Sequence, residues 1–276
     1  MKENSKILIK ESCDKGVLRL LMNNLDQKNA LSENMMNILI DEIKSASSDT
    51  SIKVIVLAAN GNVFCSGHDL KEITAARENE DSGEDYFKTL FNSCSSLMEL
   101  IVNIPQPVIA EVDGVATAAG CQLVASCDLA IASHESKFAT PGVNIGLFCS
   151  TPMVALSRNV NKKNAMEMLL TGDFINAEKA KEIGLINNTA PKEELTIEVS
   201  KLAEKIASKS SMTVSIGKKA FYAQAEMDLS KAYKYTSKTM RKNLLKYDAK
   251  EGINAFIEKR SPEWKDEWFD WRGDDK

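Results

Sequence analysis

The stretch DGVATAAGCQL, residues 113–123, comes directly after the apolar run Val108–Val112, which predicts a buried strand. Its consecutive alanines and glycines open a predicted helix of small residues, so a ligand or another backbone segment can approach closely. The first N–H groups of a helix have no intrahelical acceptor, and the helix dipole places partial positive charge there. The stretch therefore predicts either a binding turn or tight packing of a helix on a sheet.

A second glycine turn lies earlier, in residues 62–70 (NVFCSGHDL), after the apolar run Val54–Ala59. Gly67 allows the backbone to turn sharply, which leaves the amide N–H groups of the next residues pointing outward. One N–H from each of the two turns can converge on a single carbonyl oxygen and stabilise the charge that develops on it. The pair of turns therefore predicts a backbone oxyanion hole.

Composition excludes several classes of protein. The 276 residues carry a net charge of −4, and the basic residues are spread along the chain, which argues against a nucleic-acid-binding protein. No stretch approaches the roughly 20 apolar residues of a membrane span. The six cysteines and two histidines form no metal-binding pattern. With no secretory leader or Arg- and Ser-rich start, we expect reduced thiols and a cytoplasmic location.

Short apolar runs alternate with helical periods over the first two-thirds of the chain, which indicates an α/β fold. From about Pro191 onward only helical patterns continue, so we expect a core in residues 1–192 and a helical subdomain in residues 193–276. The polar segment 71–85 is expected to be a mobile loop or a frayed helix. Ser32 is expected to cap the first long helix. Strands are expected at 7–9, Val17–Met22, Val54–Ala59, Val108–Val112 and 129–132.

The order of these motifs resembles the crotonase (enoyl-CoA hydratase/isomerase) superfamily over about residues 5 to 263. The resemblance implies an α/β fold built as a spiral of repeated ββα units, with a C-terminal helical trimerisation subdomain. It also implies a homotrimer or a homohexamer. The matching stretches are 27–31, 64–70, 107–128, 138–141 with Gly146, 171–185 and 251–260.

Transferred to this chain, the resemblance implies that the amides of His68 and Ala119 form the oxyanion hole for a coenzyme A thioester. That thioester is the expected substrate, with no permanently bound cofactor, no metal, no nucleic acid and no membrane as partner. Phe256 and Lys259 match positions that help to bind coenzyme A from a neighbouring subunit. The residues implied in coenzyme A binding within the core are Lys28, Ala30, Ser66, His68, Asp69 and Leu70.

The chain departs from the family at two positions. Hydratases of the family use two glutamates to activate water and to move a proton. The matching positions hold Gln122 and Gly142. An amide can orient water but cannot accept a proton near neutral pH, and glycine can do neither. Hydration by the standard mechanism is therefore not expected.

Other side chains near the two turns offer partial replacements. His68 titrates near neutral pH, although only its N–H is needed for an oxyanion hole. Asp69 is expected to anchor its turn by hydrogen bonds to the backbone. Asn144, Cys149 and Ser150 are expected beside the acyl group, and Cys149 can equally be an ordinary buried thiol.

Three hypotheses remain open from the sequence. The first is an acyl-CoA enzyme that stabilises a thioester enolate and carries out decarboxylation, thioester hydrolysis or slow hydration. The second is a catalytically inactive acyl-CoA binder. The third, RNA binding, is known for a relative within the superfamily and is disfavoured by the net charge and the lack of a basic-aromatic cluster.

Overall fold

The structure, a computed structural model, describes residues 7–13 and 15–266. Its strands are β1 (Leu8–Cys13), β2 (Val17–Met22), β3 (Val54–Ala59), β4 (Val63–Cys65), β5 (Val108–Val112), β6 (Val115–Thr117), β7 (Leu129–Ser133), β8 (Lys137–Ala139), β9 (Ile175–Asn176) and β10 (Asn188–Ala190). Its α-helices are α1 (Glu33–Ser48), α2 (Leu70–Ala76), α3 (Glu84–Asn103), α4 (Ala119–Ser126), α5 (Pro152–Asn159), α6 (Lys162–Thr171), α7 (Ala177–Glu182), α8 (Lys192–Ala207), α9 (Ser211–Ala225), α10 (Leu229–Leu244) and α11 (Tyr247–Glu258). Two 3-10 turns lie at Leu25–Gln27 and Pro141–Ile145.

The main sheet has the strand order β1-β2-β3-β5-β7-β10, and only the β1–β2 pair is antiparallel. Its central strands are buried on both faces, which explains why they read as continuous apolar runs in the sequence. The apolar core with α1, α3 and α4 covers one face, and α8 covers the other. The predicted strands Val17–Met22, Val54–Ala59 and Val108–Val112 are confirmed with the same bounds.

A second sheet of short strands has the order β4-β6-β8-β9. Strands β4, β6 and β8 each follow one strand of the main sheet within a few residues and precede a helical segment. This repetition confirms the predicted α/β spiral of ββα units. Strands of two or three residues are too short to show an alternating pattern, which is why the sequence did not indicate them.

The predicted loop or frayed helix at 71–85 is only partly correct. Residues Leu70–Ala76 form the regular helix α2, capped by the Asp69 side chain, and Ala76 is buried. Turns follow, and Gly83 with a φ of +91° begins α3. Ser32 caps α1 as predicted, because its Oγ accepts a hydrogen bond from the Met35 N–H at 3.2 Å.

The C-terminal third is helical, as expected, but its first helix packs on the main sheet. Leu195, Val199 and Ala203 of α8 belong to the apolar cluster on the second face of the sheet. The division of the chain between residues 192 and 193 stays a prediction, and residues 267–276 of the expected subdomain lie outside the described residues. None of the helices that the structure describes is long and apolar enough to span a bilayer.

Candidate active site

The first glycine turn connects β4 to α2. Gly67 has a φ of +90°, a left-handed value that favours glycine. The Leu31 N–H donates to the Gly67 carbonyl oxygen at 2.8 Å, and Leu31 pairs with His68 in an isolated parallel bridge. The Asp69 carboxylate accepts the Lys71 N–H at 2.8 Å and so anchors the turn as its sequence position predicts.

The second glycine-rich turn connects β6 to α4. Its corner residue, Ala118, has a φ of 50° and a ψ of −118°, a conformation that L-residues rarely adopt. Such strain costs on the order of 1–3 kcal/mol and persists only where the surroundings enforce it. Here the Ala118 N–H donates to the Ala139 carbonyl oxygen at 3.0 Å, and the Ala118 carbonyl accepts the Gln122 N–H at 3.0 Å. Ala119 then begins α4, where an N–H has no intrahelical acceptor.

The two turns lie directly against each other. A methyl group placed on Gly67 would lie 3.0 Å from the Ala118 Cβ and 3.4 Å from the Ala119 nitrogen. Within the described ranges, neither the His68 N–H nor the Ala119 N–H donates to an acceptor of the protein. Two free donors on adjoining turns are an arrangement that can bind a single carbonyl oxygen.

Contacts behind the turns hold them in this arrangement. A Cβ on Gly120 would lie 2.2 Å from the Cys65 carbonyl oxygen, so α4 meets β4 at a distance that only glycine permits. The Thr117 hydroxyl donates to the Ser66 carbonyl oxygen at 3.1 Å. The small residues of the stretch 113–123 therefore allow the tight packing that the sequence offered as one alternative, and the binding turn stays a prediction.

The His68 side chain is half-buried between two segments. Its Nδ1 lies 3.3 Å from the Leu31 carbonyl oxygen, and its ring meets the Phe91 ring edge-on with centroids 5.7 Å apart. Its Nε2 is buried and has no hydrogen-bond partner among the described residues. Burial lowers the pKa of His68, and the Leu31 carbonyl opposes that effect in part.

Gln122 lies on α4 facing α3, where it is 4% exposed. Its Oε1 accepts a weak hydrogen bond from the Cys94 thiol at 3.8 Å. Burial raises the pKa of Cys94 to about 12, so this group is a neutral S–H donor. With Oε1 oriented toward the thiol, the amide presents its Nε2–H₂ donors to the remaining space.

Gly142 lies beneath the loop that follows it. A Cβ there would lie 2.8 Å from the Leu147 carbonyl oxygen and 2.9 Å from the Cys149 Sγ. The Leu147 N–H donates to the Gly142 carbonyl oxygen at 2.9 Å, which closes the loop. The buried Cys149 thiol therefore occupies the space into which a side chain at position 142 would project. Burial raises the pKa of this thiol, and a hydrogen bond with the Gly142 backbone counteracts part of the rise.

The segment around Lys28 and Ala30 runs beside the first turn. The Ser66 N–H donates to the Lys28 carbonyl oxygen at 3.3 Å, and Ala30 is buried. Lys28 itself adopts a left-handed φ of 52° after the first 3-10 turn. The structure thus brings together most of the residues expected to contact coenzyme A, and the contacts themselves stay a prediction: Lys28, Ala30, Ser66, His68, Asp69 and Leu70.

Phe256 and Lys259 lie apart from this group, at the end of α11. The Phe256 side chain is 85% exposed, and Lys259 caps the helix in a left-handed conformation. None of the described hydrogen bonds or ring contacts connects either side chain to the two glycine turns. Their expected role in binding coenzyme A from a neighbouring subunit stays a prediction.

The sequence analysis assigned no role to two structural residues of the site, Asn29 and Phe91. Asn29 is buried, and its Nδ2 donates to the carbonyl oxygens of Asn60 at 2.9 Å and Val63 at 2.8 Å. Its left-handed φ of 51° is a value that asparagine tolerates better than most residues. The ring of Phe91, on α3, contacts the His68 ring. In the part of the chain that the structure describes, no cluster of three His, Cys, Asp or Glu side chains is suited to a metal ion.

Known proteins share this architecture and these motifs. The family described as Enoyl-CoA hydratase/isomerase matches residues 12–267. The chain is 50% identical to enoyl-CoA hydratase domain-containing protein 3, mitochondrial, of Xenopus laevis, over 90% of this chain and 83% of the relative. The crystal structure of human enoyl coenzyme A hydratase domain-containing protein 3 has a TM-score of 0.89 and 48% identity, over 94% of this chain and 100% of that one. An enoyl-CoA hydratase of Mycobacterium smegmatis has the same TM-score and 45% identity, over 94% and 98%.

The names of these relatives correct one expectation. The proteins of Xenopus laevis and Homo sapiens are both named as mitochondrial. The expected cytoplasmic location contradicts that finding and is wrong. It rested on the composition of the first residues, of which 1–6 lie outside the described residues.

Proposed function

This chain belongs to the enoyl-CoA hydratase/isomerase family, and on that premise we propose that it is an acyl-CoA enzyme. The proposed substrate is a coenzyme A thioester whose carbonyl oxygen lies between the N–H groups of His68 and Ala119. Hydrogen bonds from both amides stabilise the enolate form of that oxygen, which lowers the barrier to reactions at the α-carbon. The proposal includes no permanently bound cofactor and no metal.

The proposal rests on the close approach of the two glycine turns, where a Cβ on Gly67 would lie 3.0 Å from the Ala118 Cβ. Among the described residues, the His68 and Ala119 N–H groups on these turns have no acceptor in the protein, and Ala119 follows the strained Ala118. Strain of this kind is found mainly at functional sites, where it orients a group for binding. The helix dipole of α4 adds partial positive charge at the Ala119 N–H.

The reaction that suits this site best needs no carboxylate base. Decarboxylation of a 2-carboxyacyl-CoA breaks the bond from the α-carbon to the carboxylate, and the electron pair passes to the thioester oxygen as carbon dioxide leaves. The enolate then takes up a proton at the α-carbon. Gln122 and Gly142 favour this reaction over hydration, because neither can activate a water molecule as a base.

Two other readings rest on the same binding site. Thioester hydrolysis would use the amides to stabilise a tetrahedral oxyanion, with water oriented by the Gln122 amide. A catalytically inactive acyl-CoA binder would keep the two turns and carry out no reaction. These readings differ from decarboxylation only in the products that the protein forms.

The assembly is part of the proposal. Phe256 and Ile257 at the end of α11 are both more than two-thirds exposed in the single chain. Burial of such side chains in a homotrimer or a homohexamer removes apolar surface from water. It would also bring Phe256 and Lys259 toward a neighbouring coenzyme A site.

The Gly67→Ala variant tests the proposed site. The added methyl group would lie 3.0 Å from the Ala118 Cβ and 3.2 Å from the Thr117 carbonyl oxygen, and the left-handed φ of +90° strains any residue but glycine. We expect turnover of acyl-CoA substrates, measured as product formation from a malonyl-, crotonyl- and butyryl-CoA panel, to fall by about 10²–10³-fold. Binding of free coenzyme A, which has no carbonyl at the hole, should change little.

The matched control is Gly184→Ala. Gly184 also has a positive φ, +83°, so the control carries the same backbone strain. Its added methyl group meets only the Asn159 carbonyl oxygen at an ordinary 3.4 Å. Equal activity losses in both variants would contradict the proposed role of the two turns. Normal crotonyl-CoA hydration by the unmodified chain would overturn the assignment of Gln122 and Gly142 as disabling.

A further inference from the structure

The tautomer of His68 follows from its contact with Leu31. A carbonyl oxygen only accepts hydrogen bonds, so the Nδ1 atom 3.3 Å away must carry the proton. In the neutral imidazole the other nitrogen, Nε2, then holds a lone pair and acts as an acceptor. The Phe91 ring, edge-on at 81°, keeps the imidazole in this orientation.

None of the described residues donates a hydrogen bond to the Nε2 atom of His68. The atom is also buried. A buried polar atom without a partner costs on the order of 1–3 kcal/mol, and native structures rarely retain one without a reason. An acceptor left open in this way suits a ligand that offers a proton.

The His68 ring and the Gln122 side chain both contact helix α3. The His68 ring contacts Phe91, and the Gln122 amide contacts Cys94, three residues further along the same helix. Side chains three residues apart on a helix lie on one face, with Cβ atoms about 5–6 Å apart. The imidazole and the Gln122 amide therefore approach the same face of α3, within one helical turn of each other.

We propose that the His68 imidazole is the base that removes the α-proton of the bound acyl thioester. The proposal rests on the proposed function, in which the N–H of the same residue binds the thioester oxygen. The α-carbon is two bonds from that oxygen, and the imidazole contacts the same face of α3 as Gln122, which occupies a glutamate position of the family. The substrate class is an acyl-CoA with at least one hydrogen on the α-carbon.

The proton transfer balances without a further reactant. The α C–H bond breaks, its electron pair moves to the thioester oxygen as the enolate forms, and the proton binds His68 Nε2. Return of the proton to the α-carbon regenerates the thioester. Because burial lowers the pKa of His68, the free ring is in the neutral form that can accept a proton at pH 7.

The experiment is exchange of the α-hydrogens of butyryl-CoA in D₂O, followed by mass spectrometry. The unmodified chain should incorporate up to two deuterons per butyryl group. In His68→Gln the rate should fall by about 10²–10⁴-fold, the range typical for loss of a general base. Calorimetric affinity for butyryl-CoA should stay within a few-fold, because the binding donor is backbone.

His134→Gln is the control, since His134 is the other histidine of the chain and is exposed. It should exchange at the unmodified rate. If His68→Gln does not fold, His68→Ala with added imidazole replaces it, and added imidazole should restore exchange. A purely structural role would not give that rescue.

Three results separate the proposal from its premise. Unchanged exchange in His68→Gln would overturn the role of the imidazole and leave the proposed function intact. Binding of butyryl-CoA by the unmodified chain without any exchange would do the same. No binding of butyryl-CoA would overturn the proposed function, and this proposal with it.

Discussion

Among single residues, Gly142 and Cys149 explain one of the two departures of this site from the glutamates of family hydratases. The family resemblance places a glutamate at position 142. In this chain the Cys149 thiol lies where the first atoms of such a side chain would be. The chain therefore lacks the carboxylate at position 142, and the loop that carries Cys149 also fills the space that a glutamate side chain there would need.

Gly142→Ala should destabilise the protein by about 1–3 kcal/mol, because it inserts a methyl group into a filled space. Cys149→Ala in the same chain should recover part of that loss by removing the Sγ atom 2.9 Å away. Chemical denaturation of the two single variants and the double variant measures this coupling. Gly217→Ala, on a helix with open space around it, is the control and should be neutral or stabilising. Strictly additive effects at 142 and 149 would contradict the packing described.

The sequence predicted part of the site at this scale and missed another part. The two glycine turns were predictable because glycine after a buried strand permits a sharp turn, and the family resemblance pointed to His68 and Ala119 within them. The packing of the loop against Gly142 could not be predicted from the sequence. It depends on the path of residues 147–149, which carry no turn signal of their own. The buried hydrogen bonds of Asn29 were equally invisible, since an asparagine in a loop usually contacts water.

At the scale of elements, a buried lysine joins helix α9 to the core. The Lys218 Nζ donates to the carbonyl oxygens of Ile101 at 2.8 Å and Gln106 at 2.9 Å, and to Asp128 Oδ2 at 2.6 Å. The Tyr222 hydroxyl donates to the other carboxylate oxygen of Asp128 at 2.9 Å. All three ammonium protons thus have acceptors, although burial still lowers the pKa of Lys218.

Lys218→Met should destabilise the protein by about 3–5 kcal/mol, because it leaves the Asp128 charge without its partner. Denaturant unfolding at pH 7 measures this expected decrease in the free energy of unfolding. Lys201→Met is the matched control, since Lys201 pairs with Glu198 three residues away on an exposed surface. Similar losses in the two variants would contradict the anchoring role of Lys218.

Element prediction succeeded where the segments were long. Strands of five or six mostly buried residues were predicted from the sequence with the bounds that the structure has. The three-residue strands β4, β6 and β8 were not, because their pairing is set by the partner strands rather than by their own pattern. Those short strands carry both glycine turns, so the geometry of the site required the structure.

At the scale of the whole molecule, residues 259–266 tie the C-terminal helices back to the chain. The Glu251 carboxylate accepts two hydrogen bonds from the Arg260 guanidinium, at 2.6 and 2.9 Å, and one from the Glu263 N–H at 2.9 Å. Further along, the Asp266 carboxylate accepts a hydrogen bond from the Lys53 ammonium at 2.6 Å. Lys53 precedes β3, so this segment connects α11 to the main sheet.

The stability of this connection should depend on pH. The hydrogen bonds from Arg260 lower the pKa of Glu251 to about 2, from an ordinary value of 4.5. A carboxylate with a lowered pKa stabilises the folded state above its ordinary pKa, and that contribution is lost as the pH falls toward 2. The difference in melting temperature between the unmodified chain and Glu251→Gln should therefore be constant above pH 5 and shrink as the pH falls below 4.5.

Glu258→Gln is the control for this pH dependence. Glu258 pairs with the same arginine but is exposed and accepts no hydrogen bond from residues 261–266. It should give a smaller difference in melting temperature at every pH. A Glu251→Gln difference that does not change between pH 5 and pH 3 would contradict the lowered pKa.

The proposed substrate binds with its thioester carbonyl oxygen between the N–H groups of His68 and Ala119. The most direct measurement is the carbonyl ¹³C resonance of butyryl-CoA, labelled at the thioester carbon and bound to the protein. Two hydrogen bonds to the oxygen polarise the carbonyl, so the resonance should move downfield on binding, and the shift should be lost in Gly67→Ala but kept in Gly184→Ala. A bound thioester whose carbonyl resonance stays at its position in water would contradict the account.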